Sequence, residues 1–263
     1  MNEAQPIAGP AQEPMEIMKE EEFGNSRTHF PGVLNLSNGE IHYLWWYIQG
    51  SIMSPFVREK LRKAWGMCQR HAWGAIFVES SFRQGYLHGP AVLYEDLMSR
   101  ASAFLKVRGP SRFSRATLRL RDRGPCPMCE MGLGPRSPGM ASSQLFEKGR
   151  DHTTIRDISR RTWPFWKDMI CGKCLGNASV LRCRPHLLSE TGHARGDYQA
   201  NLELVSEILE RVTRYCRSFR WEFRGTETEM DLAGLLAAVG WCSGWRPLLE
   251  LAGTSNFVHP PED

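Results

Sequence analysis

Six of the eight cysteines in this 263-residue chain fall into four short hooks, each pairing two ligand-capable side chains three residues apart. The hooks are Cys68 with His71 in WGMCQRHAW, Cys126 with Cys129 in CPMC, Cys171 with Cys174 in CGKC, and Cys183 with His186 in CRPH. A Cys-x2-Cys or Cys-x2-His spacing lets both side chains of one tight turn reach the same ion, and zinc takes four such ligands as a tetrahedron. Eight ligands fill two sites. Any one hook alone reads as buried thiols or a packed core histidine. The four together read as metal, the more so because CPMC and CGKC carry the proline or glycine expected of a metal knuckle. The remaining Cys216 and Cys242 lie on predicted helices and read as core residues.

Spacing does not decide which hooks share an ion. Sequential pairing unites Cys68 and His71 with Cys126 and Cys129, and Cys171 and Cys174 with Cys183 and His186. A cross-braced pairing also yields two Cys3His sites.

A chain that is 41% hydrophobic can bury a substantial core, and eight cysteines are too few for a disulfide-built miniature scaffold. The first residues, MNEAQPIAGPAQEPMEIMKEEE, lack the apolar run of a signal peptide. A reducing, cytoplasmic location is therefore expected. The longest stretches without a charged residue, Ile41 to Val57 and Leu232 to Trp245, fall short of the ~20 apolar residues of a membrane span.

Periodicity predicts a mainly α fold, a helical bundle with irregular loops stapled by zinc. Residues 1–28, acidic and proline-containing, read as a disordered tail. A helical unit follows over 29–123. Within it Ile41, Leu44, Trp45 and Ile48 recur at helical spacing after Asn38-Gly39, and Ser54-Pro55 starts a helix that Gly66 should stop. His88-Gly89-Pro90 reads as a break before a helix over 91–106. Between Gly109 and Arg123 the alternation of Phe113, Ala116, Leu118 and Leu120 with arginines suggests a short strand. A cysteine-rich unit over 124–190 contains a Gly/Pro/Ser-rich insertion, 131–150, expected to be a flexible loop without a helix. In 191–250 a long helix from Tyr198 to Phe223 is followed by a second, capped by Thr226 and Glu229 and ended by Gly240. These helices are expected to pack on the first unit, leaving 251–263 as a tail.

The segments YIQGSIMSPFVREKLRKAWGMCQRH, CPMC, LRCRPHLL and RYCRSFRWEFRGTETEMDLAGLLAAVGW resemble a family of uncharacterised bacterial and archaeal proteins built from tandem CPxC, helix, GxCxxH units with a helical tail. The similarity spans most of residues 39–245. Where the family's first CPxC belongs, this chain has Glu40-Ile41-His42-Tyr43, and its second unit holds an extra pair, Cys171 and Cys174. The family order implies that Cys126, Cys129, Cys183 and His186 form one site. Cys68 and His71 would then either recruit Cys171 and Cys174, the favoured arrangement, or stand empty, with His42 as an outside candidate ligand. The resemblance implies no activity.

Other chemistries have thinner support. CGKC matches the dithiol of thioredoxin-like oxidoreductases, but no βαβ context surrounds it. No HExxH or HxE signature accompanies the hooks, and Glu79 and His88 read as ordinary polar residues on helices. The aromatic run HYLWWYIQG reads as core packing. Residues 100–123 hold eight Lys/Arg and one Asp, a local charge of +7, and Arg211, Arg214, Arg217 and Arg220 follow on the long helix. A solvated polar face explains them most simply; nucleic acid is the alternative partner. The resulting expectation is a zinc-binding interaction or adaptor module with a protein partner, without catalytic residues.

Overall fold

The computed structural model describes residues 34–253, apart from 84, 108, 110–111 and 191–194. The expected tails fall largely outside this range. Among the described residues regular structure is entirely helical.

Helix α1 (Asn38–Ile48) begins with a capping box: Ser37 accepts from the Glu40 amide while the Glu40 carboxylate accepts from the Ser37 amide. A short 3-10 turn leads to α2 (Pro55–Lys63), whose first residue is the proline that tolerates that position. The helix ends at Lys63 with Ala64 as its C-cap, earlier than a stop at Gly66 implies: the left-handed residue after the cap is Trp65, at φ 52°, and Gly66 follows it at φ 95°. A fully buried tryptophan persists there because its ring is packed on several sides, by Phe104, Arg100 and Arg184.

Next come α3 (Gln69–Phe82) and α4 (His88–Leu105). His88-Gly89-Pro90 does not break the helix; it is the first turn of α4, where proline lacks only an amide that would have no helical acceptor. Residues expected as a strand form α5 (Arg112–Leu120) instead. Phe113, Ala116 and Leu120 share its inner face, with Ala116 and Leu120 fully buried, whereas Leu118 is 65% exposed. A helix keeps one apolar side chain outside, and the bundle offers no strand for a lone β segment to pair with.

The expected flexible insertion is an ordered part of the bundle. After α6 (Pro127–Glu130), residues 131–141 return to the start of α1, where the Gly39 amide donates to Ser137 O (2.9 Å). A Cβ at Gly139 would overlap the Asn38 carbonyl. The stretch then forms α7 (Ser143–Gly149), capped by Ser142, and a missed helix, α8 (Thr153–Trp166), follows. Gly149 packs so closely on Ile41 that no side chain fits. Glycines here serve close approach, not freedom.

Two short helices, α9 (Gly172–Leu175) and α10 (Arg184–Ser189), precede α11 (Arg195–Ser218). That helix ends earlier than its periodicity suggests, and a 3-10 turn at Trp221–Phe223 follows. The cap of α12 (Glu229–Ser243) is Thr228 with Asp231, two residues beyond the expected box, and the helix passes through Gly240 before Gly244 stops it at φ 99°. The last helix is α13 (Arg246–Leu251).

Helix α12 is the axis of the fold. Its sequence is apolar on every side, and from Ala233 to Ser243 every residue is buried, which requires neighbours all round. It packs against α3, α4, α8, α10 and α11. The core is continuous, so the helical, cysteine-rich and C-terminal stretches share one interior.

Candidate metal centres

All four hooks have the same local construction. Cys68, Cys126, Cys171 and Cys183 are each the N-cap of a helix (α3, α6, α9 and α10) with extended-type ψ, and none uses its sulfur to cap the backbone. The partners His71, Cys129, Cys174 and His186 are therefore the third helical residue. N-cap and third-residue side chains meet on one side of a helix start, the geometry that a capping box exploits. Here the pair is turned outward as a two-ligand claw.

The claws converge in two groups, within each of which the four ligand atoms lie within 4.8 Å of one another. The first centre contains Cys68, His71, Cys126 and Cys129. His71 Nδ1 is 3.3, 3.5 and 3.4 Å from the sulfurs of Cys68, Cys126 and Cys129, and the Cys68 and Cys129 sulfurs are 3.7 Å apart. The second contains Cys171, Cys174, Cys183 and His186. There His186 Nδ1 lies 3.2, 3.5 and 3.2 Å from the sulfurs of Cys171, Cys174 and Cys183, with Cys174 and Cys183 3.8 Å apart. All eight hook residues are thus in one or other group, and each group can hold a metal ion. The pairing is sequential. The arrangement implied by the family order, with Cys126 and Cys129 beside Cys183 and His186, is overturned, because α6 returns to the α2–α3 turn and α9 closes on the adjacent α10.

His71 is oriented from behind. Its Nε2 is 3.0 Å from Glu40 Oε1, and Glu40 is completely buried, accepting also from Arg70 Nε (2.6 Å) and Nη2 (2.8 Å). Burial alone would raise the Glu40 carboxyl, but the bonds from Arg70, His71 and Ser37 outweigh it and hold the group down at about 2. The carboxylate fixes the tautomer that leaves Nδ1 facing the thiols. In the sequence Glu40 stands out only as the first residue of Glu40-Ile41-His42-Tyr43, where a CPxC hook is expected. Its second role needs the fold, which brings α1 and α3 together.

The second centre is braced by backbone instead. The Gly172 amide donates to Leu181 O (2.9 Å), and a Cβ at Gly172 would overlap the Ser179 carbonyl, so CGKC needs its glycine for this close approach. Asn201 on α11 accepts from the Arg182 amide (2.7 Å). Arg184, directly after Cys183, is buried and donates to Cys242 O and Leu120 O, each at 3.0 Å, while pairing with Asp122 at 3.0 Å. The first centre reaches the same end of α12: Ser243 Oγ donates to Met67 O (3.1 Å) and Trp73 Nε1 to Gly244 O (2.8 Å). Carbonyls that a helix end leaves without partners thus tie both centres to the axis of the fold.

The thiols of each group share one proton economy. In the first centre the Cys126 thiol is drawn down to about 3 by hydrogen bonds from Cys68 and His71, while the bond to Cys126 and burial push Cys68 up. In the second, Cys174 and Cys183 lower Cys171, and Cys171 and Cys174 raise Cys183 well above the thiol range. Three sulfurs this close cannot all ionise without a cation among them. A divalent ion bound there would supply that charge and displace the remaining thiol protons.

Other candidates stay apart. His42 on α1 faces Trp45 and joins neither group. Cys242 is buried in the core and Cys216 half-buried, their thiols pushed up by desolvation. Cys171 and Cys174 do not stand alone as a dithiol; Cys183 and His186 complete the set around them. His88 lies tilted against Phe219, the ring centroids 4.4 Å apart. Glu79 is no ordinary polar residue: it is buried, one oxygen takes the Gly89 amide (3.3 Å), and the other has no hydrogen-bond partner among the described residues. No helix among the described residues is long and apolar enough to cross a membrane.

The chain matches no family model, no curated protein and no solved structure.

Proposed function

We propose that both centres are structural zinc sites and that the chain is a non-enzymatic interaction module whose loops are held in place by the metal. The observation that carries this reading is the completeness of each donor set. Zn–S bonds of about 2.3 Å and Zn–N bonds of about 2.0–2.1 Å place tetrahedral ligands roughly 3.6–3.8 Å apart. Sulfur–sulfur separations of 3.7 and 3.8 Å, and sulfur–nitrogen separations of 3.2–3.5 Å, match that within a small adjustment. Three thiolates and one imidazole favour zinc over hard, oxygen-seeking cations. Four protein ligands also leave no open position for a substrate or an activated water, the condition a catalytic zinc requires.

When bound, the zinc supplies cross-links. The first joins the α2–α3 turn to α6 and therefore closes a long loop; the second clips α9 to α10. The chain's own part is to present the thiolates at helix N-termini, which favour negative charge, and to orient His71 through Glu40. The likeness of the hooks to tandem CPxC and GxCxxH units agrees with a metal-stapled helical protein and adds no activity. A protein partner is the role this reading favours. Metal analysis of the purified chain tests it: two zinc ions per chain support it, and none would reject it.

A further inference from the structure

The segment between α5 and the first centre is strung between the two metal sites. At one end, Arg184 of the Cys183 hook binds Leu120 O at 3.0 Å. At the other, the Arg123 amide donates to Lys63 O at 2.7 Å, and Cys126 enters the first centre three residues later. This short run carries Arg119, Arg121 and Arg123, all exposed.

The charge of these arginines is not cancelled. Elsewhere several exposed cations find carboxylates, Lys60 with Glu130, Arg161 with Asp157 and Glu229, Arg246 with Glu250, while others scattered over the surface, Lys106, Arg136, Lys167, Arg220 and Arg224, have none among the described residues; Arg119, Arg121 and Arg123 differ in standing on alternate residues of one short run. On the long helix Arg211 pairs with Glu207, Arg214 with Glu210 and Asp231, and Arg217 covers the Phe223 ring. Those arginines are absorbed within the fold, as is Arg100, which lies over Trp65. Among the described residues no carboxylate is within ion-pairing distance of Arg119, Arg121 or Arg123. The one acid in the strip, Asp122, pairs with the buried Arg184 and is thereby engaged. Arg119 lies over Phe104, 5.4 Å from its centroid, and is held without being neutralised.

We propose that Arg119, Arg121 and Arg123 form a binding surface for the phosphodiester backbone of a nucleic acid, positioned by the two zinc centres; the positioning rests on the zinc reading above. Guanidinium groups are the side chains best matched to phosphate oxygens. A run of three exposed arginines suits a linear polyanion whose charges repeat along a strand.

The test uses the zinc-loaded full chain and three fluorescein-labelled 20-mers of one sequence: duplex DNA, single-stranded DNA and single-stranded RNA. Anisotropy should give a Kd of roughly 1–100 µM at low salt for at least one of them, with log Kobs falling against log [KCl] with a slope of about −3 for a duplex and somewhat less for a single strand. The preferred polymer identifies the source of the phosphates. Arg121→Ala/Arg123→Ala leaves the Phe104 contact alone, and should weaken binding at least tenfold and flatten the slope by about 2. The control Arg160→Ala/Arg246→Ala removes two paired arginines and should leave affinity unchanged. A flat salt response, no loss in the first variant, an equal loss in the control, or equally tight binding of polyglutamate would overturn the proposal. Zinc counted on the same samples separates the two ideas: two ions without nucleic-acid binding defeats this inference alone.

Discussion

The guanidinium of Arg184 lies 5.6 Å from the centre of the Trp65 ring, linking the residue after Cys183 to the residue three before Cys68. Arg100 is on the same indole at 5.4 Å. The two centres are distant in sequence but joined through one buried cation and one strained tryptophan at the C-terminal end of α12.

Replacing Arg184 tests that joint. Arg184→Met keeps much of the packing but leaves the Cys242 and Leu120 carbonyls without their donor, each a loss of about 1–3 kcal/mol. The expected outcome is a loss of roughly 3 kcal/mol in urea unfolding. An unchanged midpoint would show that the joint contributes nothing.

Glu40→Gln probes the orientation of His71. The carboxamide retains the shape of Glu40 but not its charge toward Arg70 and His71. Zinc affinity at the first centre should fall about 10–100-fold, with the second unaffected. Competition with a chromophoric chelator resolves the two, and equal weakening at both centres would argue against the Glu40–His71 relationship.

Gly172→Ala should damage only the second centre. The added methyl meets the Ser179 carbonyl, so the loop that returns Cys183 must move. One zinc should be lost more readily than in the parent chain. Retention of both ions with equal affinity would contradict the close approach described here.

The buried carboxyl of Glu79 makes stability depend on pH. Burial pushes it up to about 8 from the ordinary 4.5, against the opposing Gly89 hydrogen bond and the nearby Arg83. A raised folded value means that the folded chain binds more protons than the unfolded one between those limits. Its contribution is complete below the ordinary value and is lost as pH rises toward 8. Glu79→Gln should therefore flatten the decline in stability from pH 5 to 8 by up to a few kcal/mol, measured against the parent. Parallel curves for the two proteins would refute this assignment.

Much of this was legible in the residues. The apolar spacing of α1 and α11 and the Ser54-Pro55 start are local signals, and local physics decided them. The hooks were equally plain, since an N-cap and third-residue pair is fixed by spacing. Their partnership was not, because it depends on α6 returning to the α2–α3 turn, a tertiary event that spacing does not encode. Residues 131–150 misled for a related reason: Gly139 and Gly149 resemble loop residues until Asn38 and Ile41 are seen against them. In α5 the pattern of Phe113 to Leu120 admits two periods, and the neighbouring helices chose between them.

The most direct test of the account is to count zinc in the parent chain and in paired Cys→Ser variants. Two ions per parent chain are expected, falling to one in Cys68→Ser/Cys126→Ser and to one in Cys171→Ser/Cys183→Ser, because each pair strips a single centre. Loss of both ions in Cys126→Ser/Cys183→Ser completes the pattern. If that last variant instead keeps one ion, the two residues share a site and the centres described here are wrong.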